Sequence, residues 1–236
     1  MPDTHIIDAH TVLLTSDTSL PIDTNWFTPD YWKKQGALAG TAQGRGAVWF
    51  ILSNYGHFVM RRYRRGGLVA KFNKSYFLFS GLKNTRPWLE LSLLETMQDM
   101  GLPVPRPIGG IYSVKKGYYK ATLITETINC ARDLFDILKD GFSSEIDWHD
   151  IGRVIRQFHD HGIHHSDLNC HNIMIDDNKK VWLIDFDKCD QRPINEEWPQ
   201  KNLDRLKRSI NKESKKHTHF TVSDEQWHDL LEGYRG

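Results

Sequence analysis

The chain has 236 residues with a formal net charge of +1, 39% hydrophobic and 26% charged residues. This balance is that of a globular chain of one domain or two small lobes, and it excludes a disordered or collagen-like protein. Three cysteines, Cys130, Cys170 and Cys189, form no C-x-x-C pair and read as reduced thiols of a cytosolic protein.

Residues 1–30 carry little pattern, and the start of the chain lacks the basic opening and apolar run of a signal peptide. No apolar stretch approaches the ~20 residues of a membrane span, so any membrane contact is expected to be peripheral. Residues 31–46 read as a loop containing Gly36, Gly40, Gly44 and Gly46. Residues 47–52 and 57–61 read as strands joined by a turn at 53–56, a hairpin preceded by a glycine-rich segment. Residues 61–74 contain six basic and no acidic residues. Residues 86–100 space Leu89, Leu93, Leu94, Met97 and Met100 as a helix does, and Gly101 with Pro103 and Pro105 stops it. Strands are expected at 108–114 and 119–125.

Helices dominate after about residue 129. One is expected near 133–138, and another over 147–161, where Ile151, Val154, Ile155 and Phe158 mark a buried face. Short strands at 173–175 and 181–184 flank a turn at 176–178, and further helices are expected near 199–210 and 223–234. Ser223 with Gln226 makes a capping box. The expected fold is α+β and two-lobed: an antiparallel sheet with one helix over about 28–128, and a smaller, mainly helical lobe over about 129–236.

The chemistry concentrates in His165-Ser-Asp-Leu-Asn-Cys-His-Asn172, followed across the short hairpin by Leu183-Ile-Asp-Phe-Asp187. Phosphoryl transfer needs a carboxylate to orient the attacking hydroxyl and take its proton. It also needs an amide oxygen and a second carboxylate to hold magnesium ions against the phosphates. Asp167, Asn172 and Asp185 supply these groups at the required steps along the chain. The segment resembles the catalytic and metal-binding loops of the protein-kinase-like superfamily. That resemblance implies Asp167 as the catalytic base, Asn172 and Asp185 as magnesium ligands, and His165 as a structural residue of the loop.

Such kinases pair a strand cation with a glutamate on the first lobe's helix. Glu90 is the candidate glutamate, with Glu95 as the alternative. Val59-Met-Arg-Arg62 stands where V-A-I-K is expected. Alternation along the strand selects Arg61 as the phosphate-contacting cation, with Arg62 or Lys71 able to serve instead. Gly40, Gly44 and Gly46 suit a glycine loop over the ATP phosphates. Glu126 falls where the lobe connector meets adenine, a task for backbone groups there.

Residue 166 is Ser rather than the Arg of H-R-D, no A-P-E follows, and only about fifty residues remain after Asp187. These absences favour a small-molecule, sugar or lipid kinase over a regulated protein kinase. Residues 201–216 hold seven basic and two acidic residues, a charge suited to an anionic membrane surface or to acceptor phosphates. No aromatic platform interleaves with the basic runs, so no nucleic-acid partner is expected. The histidines at 159, 161, 164, 165 and 171 are too irregularly spaced for a zinc site.

The glycine segment at 40–46, the basic segment at 61–71 and the loop at 165–172 together are similar to the bacterial lipopolysaccharide kinases that act on 3-deoxy-D-manno-octulosonic acid (Kdo). This resemblance implies ATP- and Mg²⁺-dependent phosphorylation of the Kdo 4-hydroxyl on Kdo-lipid IVA. It also implies a peripheral place on the cytoplasmic face of the bacterial inner membrane. A RIO-like protein kinase and a non-catalytic nucleotide- or lipid-binding module are the alternatives. Asp187 departs from the D-F-G pattern.

Overall fold

The computed structural model describes residues 1–41, 48–65, 75–195 and 197–236. The chain is α+β and divides into two compact units, residues 1–96 with 105–127, and residues 97–104 with 128–236.

The first unit is built on an antiparallel sheet of β1 (Asp3–Ile6), β2 (Thr11–Thr15), β3 (Leu38–Thr41), β4 (Val48–Ser53), β5 (Gly56–Arg62), β6 (Phe77–Leu78), β7 (Pro107–Lys115) and β8 (Tyr118–Glu126). Its order is β1-β2-β7-β8-β5-β4-β3, with β6 added alongside β8. Neighbouring strand residues point to opposite faces, and the sheet buries both. Leu13, Phe58, Met60 and Ile124 join one core with Trp26, Phe27 and Trp32. Leu14, Tyr63, Ala121 and Leu123 join another with Leu91 of helix α2 (Arg86–Asp99).

Two segments differ from the sequence expectation. Residues 1–30 contain the β1–β2 hairpin, and β2 pairs with β7 of the sheet. Residues 31–46, expected as a loop, hold the end of helix α1 (Pro29–Lys34) and all of β3. Helix α1 starts with Pro29, has Asp30 in its first turn and Lys33 and Lys34 in its last, which suits its dipole. One side chain anchors it: Trp32 is buried, and its indole N–H donates to the Trp26 carbonyl at 2.6 Å. Six residues are too short for a helical period to register in the sequence, and the glycines masked it.

The second unit carries β9 (Arg132–Asp133), α3 (Leu134–Lys139), α4 (Trp148–Asp160), β10 (Ile163–His164), β11 (Ile173–Ile175), β12 (Val181–Leu183), β13 (Asp190–Gln191), α5 (Glu197–Ser214) and α6 (Asp224–Arg235). The Asp133 and Asp147 side chains cap α3 and α4, and Ser223 with Gln226 forms the capping box of α6. Helices α4 and α6 cross closely. A Cβ on Gly152 would lie 1.9 Å from the Leu230 carbonyl oxygen, and one on Gly233 would lie 2.0 Å from that of His149. Helix α5 is longer at both ends than expected, and β9, β10 and β13 are two-residue strands that sequence periodicity does not register. Among the described residues no helix is long and apolar enough to cross a membrane.

Candidate active site

In the first unit, β5 and α2 bring a cation and a carboxylate together. Arg61 Nη2 donates to Glu90 Oε1 at 2.6 Å and to Oε2 at 2.8 Å. The Tyr63 hydroxyl donates to Glu90 Oε2 at 2.7 Å, and the Arg61 guanidinium lies 4.8 Å from the Tyr63 ring centroid. Glu90 is 4% exposed. Donors such as these offset the cost of burying a carboxylate. Arg61 and Tyr63, two residues apart on an extended chain, share the sheet face that α2 covers. Tyr63 is the member of this cluster that motif reading missed; its period-2 spacing from Arg61 was the available signal. Two of the alternatives have other neighbours: Glu95 lies beside the Met1 amine, and Arg62 lies over the Trp49 ring.

In the second unit, the β11–β12 hairpin sets the metal-binding candidates. Ile173 pairs with Leu183, so the residues just outside the pair, Asn172 and Ile184, face each other. The Ile184 N–H donates to the Asn172 carbonyl at 3.0 Å, and Asp185 follows at once with φ +63°. The Asn172 amide nitrogen donates to the Asp167 carbonyl at 2.9 Å. With its nitrogen committed, the side-chain oxygen of Asn172 is the end available to a cation. Asp185 is exposed, while Phe186 is buried, stacked on Phe158 and close to the His165 ring.

His165 is a structural part of the loop. Its Nε2–H donates to the Ile184 carbonyl at 3.0 Å, and its Nδ1 accepts the Asp167 N–H at 3.2 Å. Burial lowers its pKa and keeps it neutral, which suits a ring that donates at one nitrogen and accepts at the other.

Helix α5 grips this loop at three successive turns, a feature the sequence reading did not identify. The Asn202 side chain accepts the His165 N–H at 3.2 Å and donates to the His165 carbonyl at 3.0 Å. Arg205 reaches the Asp167 carboxylate with Nε at 3.0 Å from Oδ1 and with Nη2 on the same oxygen. Ser209 Oγ accepts the Cys170 N–H at 3.0 Å. Residues 202, 205 and 209 follow the i, i+3, i+7 spacing of one helix face, which was the signal present in the sequence. Partial burial works to raise the Asp167 pKa, and the Arg205 hydrogen bonds and charge outweigh it. The carboxyl therefore lies below its ordinary value and is ionised at neutral pH. Burial pushes the Cys170 thiol up to about 11, so it is an inert core group.

The remaining candidates are placed as follows. Gly40 lies on β3, and a Cβ there would meet open space. Gly44, Gly46 and Lys71 lie outside the described residues. The Glu126 carboxylate pairs with Arg106 Nε at 3.1 Å, and the Glu126 N–H donates to the Arg106 carbonyl at 2.8 Å. Its side chain is thus engaged within the first unit. Among the described residues no group of three or more His, Cys, Asp and Glu is arranged to hold a metal.

Residues 29–234 match the lipopolysaccharide kinase (Kdo/WaaP) family. The chain belongs to that family. It is 42% identical over 217 residues to a 3-deoxy-D-manno-octulosonic acid kinase of Pasteurella multocida, covering 89% of this chain and 90% of the relative. It is 41% identical over 233 residues to one of Mannheimia succiniciproducens, covering 96% of each. It is 44% identical over 185 residues to one of Vibrio cholerae, covering 78% of each. As a member of a kinase family the chain is a phosphotransferase, and the match spans the Arg61–Glu90 pair and the 165–187 loop alike.

Proposed function

We propose that the protein transfers the γ-phosphoryl group of ATP to the 4-hydroxyl of Kdo on Kdo-lipid IVA, in lipopolysaccharide core synthesis. The reading rests on the hairpin register that seats Asn172 beside Ile184 and Asp185, with Asp167 bonded to Asn172 through its carbonyl. The shared name of the three relatives supports the acceptor.

Asp167, ionised and half-exposed, would orient the sugar hydroxyl and accept its proton as the oxygen forms its bond to the γ-phosphorus; the bond from phosphorus to the ADP oxygen breaks. Asn172 and Asp185 offer one amide oxygen and one carboxylate. Mg²⁺ takes oxygen ligands and is usually held by one or two protein groups plus substrate phosphates, so this donor set fits it. Bound there, the ion would offset charge on the phosphates. In the first unit, Arg61 would supply the cation for the ATP phosphates, with Glu90 and Tyr63 fixing its direction, and the segment of Gly40, Gly44 and Gly46 would cover them. Glu126 would act through connector backbone rather than its carboxylate. The basic run at residues 61–74 supports a peripheral place on the anionic cytoplasmic face of the inner membrane.

The test is to mix the purified protein with Mg²⁺, labelled ATP and Kdo-lipid IVA, beside Asp167→Ala. Label on the lipid that disappears in the variant is the expected result. No transfer by the wild type, with ATP still bound, would overturn the acceptor assignment.

A further inference from the structure

Helix α5 presents a second pattern on the side away from its buried residues. At 100° per residue, Lys201, Arg205, Arg208 and Lys212 fall within a narrow arc of its surface, and Lys215 and Lys216 continue this run in the turn that follows. All six are exposed, and no acidic residue falls within the arc. Lys201–Arg205, Arg205–Arg208 and Arg208–Lys212 are like-charged neighbours at three- and four-residue spacing, each of which opposes helix formation. A solvated helix face ordinarily interleaves the two signs.

Some of this charge is offset within the chain. Lys201 pairs with Glu197, Lys216 with Glu213 at 2.8 Å, and Arg205 with Asp167. Lys212 is 3.8 Å from Glu213. Arg208 and Lys215 have no ion-pair partner among the described residues. Arg208, Lys212, Lys215 and Lys216, with Asn211, line a shallow depression of about 600 Å³. From Arg205, which touches the Asp167 carboxylate, the stripe runs on along the helix through Arg208 and Lys212 at about 1.5 Å per residue. Arg205 spends two donors on Asp167, and a guanidinium has five.

We infer that this basic face of α5 is the acceptor-binding surface, holding the anionic groups of an acidic, lipid-linked sugar so that its hydroxyl reaches Asp167. The inference rests on the proposed function and adds to it the surface that selects the acceptor. Arg205, beside the base, suits the sugar's carboxylate. Arg208, Lys212 and Lys215 suit anionic groups farther along the same molecule. A fork of donors recognises a carboxylate or phosphate in a fixed orientation, whereas lysine ammonium groups add charge with less directionality.

The experiment compares the wild type with Arg208→Ser/Lys212→Ser/Lys215→Ser, and with a charge-matched control, Lys33→Ser/Lys34→Ser/Lys115→Ser, drawn from exposed residues of the first unit. Binding is measured to phosphatidylcholine vesicles that carry Kdo-lipid IVA, and separately to vesicles that carry phosphatidylglycerol instead. Acceptor KM and melting temperature are measured alongside. The α5 variant is expected to lose acceptor-vesicle binding and gain acceptor KM by roughly 10- to 100-fold, at an unchanged melting temperature. The control should match the wild type. An α5 variant that binds acceptor vesicles as the wild type does, while the wild type transfers phosphate, would overturn the inference alone. Equal losses on both vesicle types would also overturn it, in favour of a general membrane-surface patch. A wild type that binds the lipid through α5 yet transfers nothing to it would overturn the proposed transfer reaction and leave the binding surface standing.

Discussion

Replacing Glu90 by alanine removes the Arg61 contacts at 2.6 and 2.8 Å and takes away the acceptor of the Tyr63 hydroxyl at 2.7 Å. Breaking a buried ion pair by deleting one partner costs about 3–5 kcal/mol. The Arg61 side chain is 21% exposed, so water recovers part of its solvation. The expected loss is therefore about 2–4 kcal/mol, or roughly 5–15 °C in melting temperature for a unit of this size. Tyr63→Phe deletes one hydrogen bond to a charged group and should cost about 1.5 kcal/mol. Urea titration followed by tryptophan fluorescence reports the first unit through buried Trp26 and Trp32 and the second through buried Trp148, Trp198 and Trp227. Activity should fall as well, because an Arg61 released from Glu90 is no longer aimed. If Glu90→Ala costs under about 1 kcal/mol, or no more than Tyr63→Phe, the ion pair does not organise this part of the protein.

Three further outcomes are expected. Asp185→Ala should abolish phosphoryl transfer while Asp187→Gly keeps measurable activity; two equally dead variants, compared by initial rates over a Mg²⁺ titration, would give Asp187 a direct role. Arg205→Ala removes the cation that outweighs burial at Asp167, so the acid limb of the rate profile should move toward neutral pH; an unmoved limb would refute that balance. Burial pushes His159 down to about 4, below its ordinary 6.5, with the Asn202 hydrogen bond opposing the shift. The unfolded chain then binds the extra proton first, so stability should fall as pH drops from about 6.5 toward 4, by about 3 kcal/mol in full. Denaturant midpoints measured across that window should flatten in His159→Gln, and an equally steep variant would refute the assignment. His164 and His165 are lowered by burial as well and act in the same direction.

Much of the fold was legible in the sequence because its elements carry strong local signals. Helix α4 shows Ile151, Val154, Ile155 and Phe158 at helical spacing and takes a capping aspartate, and it formed where expected. The β7–β8 and β11–β12 hairpins combine apolar runs with good turns. The β1–β2 hairpin and α1 were not legible. Their stability comes from partners distant in the chain, such as β7 for β2, and from single buried side chains such as Trp32.

The sequence by itself determined the chemical inventory: Asp167, Asn172 and Asp185 at fixed steps along a loop and hairpin, and Arg61 and Glu90 on a strand and a helix. Those steps are set by local backbone geometry, which the order of residues carries directly. Only the tertiary structure decided that Tyr63 joins the Arg61–Glu90 pair, and that α5 holds the loop with Asn202, Arg205 and Ser209. The latter contacts join residues about 37–39 positions apart. Which polar side chains meet over such a separation depends on how the buried faces of α5 and its neighbours pack, and no local propensity encodes that.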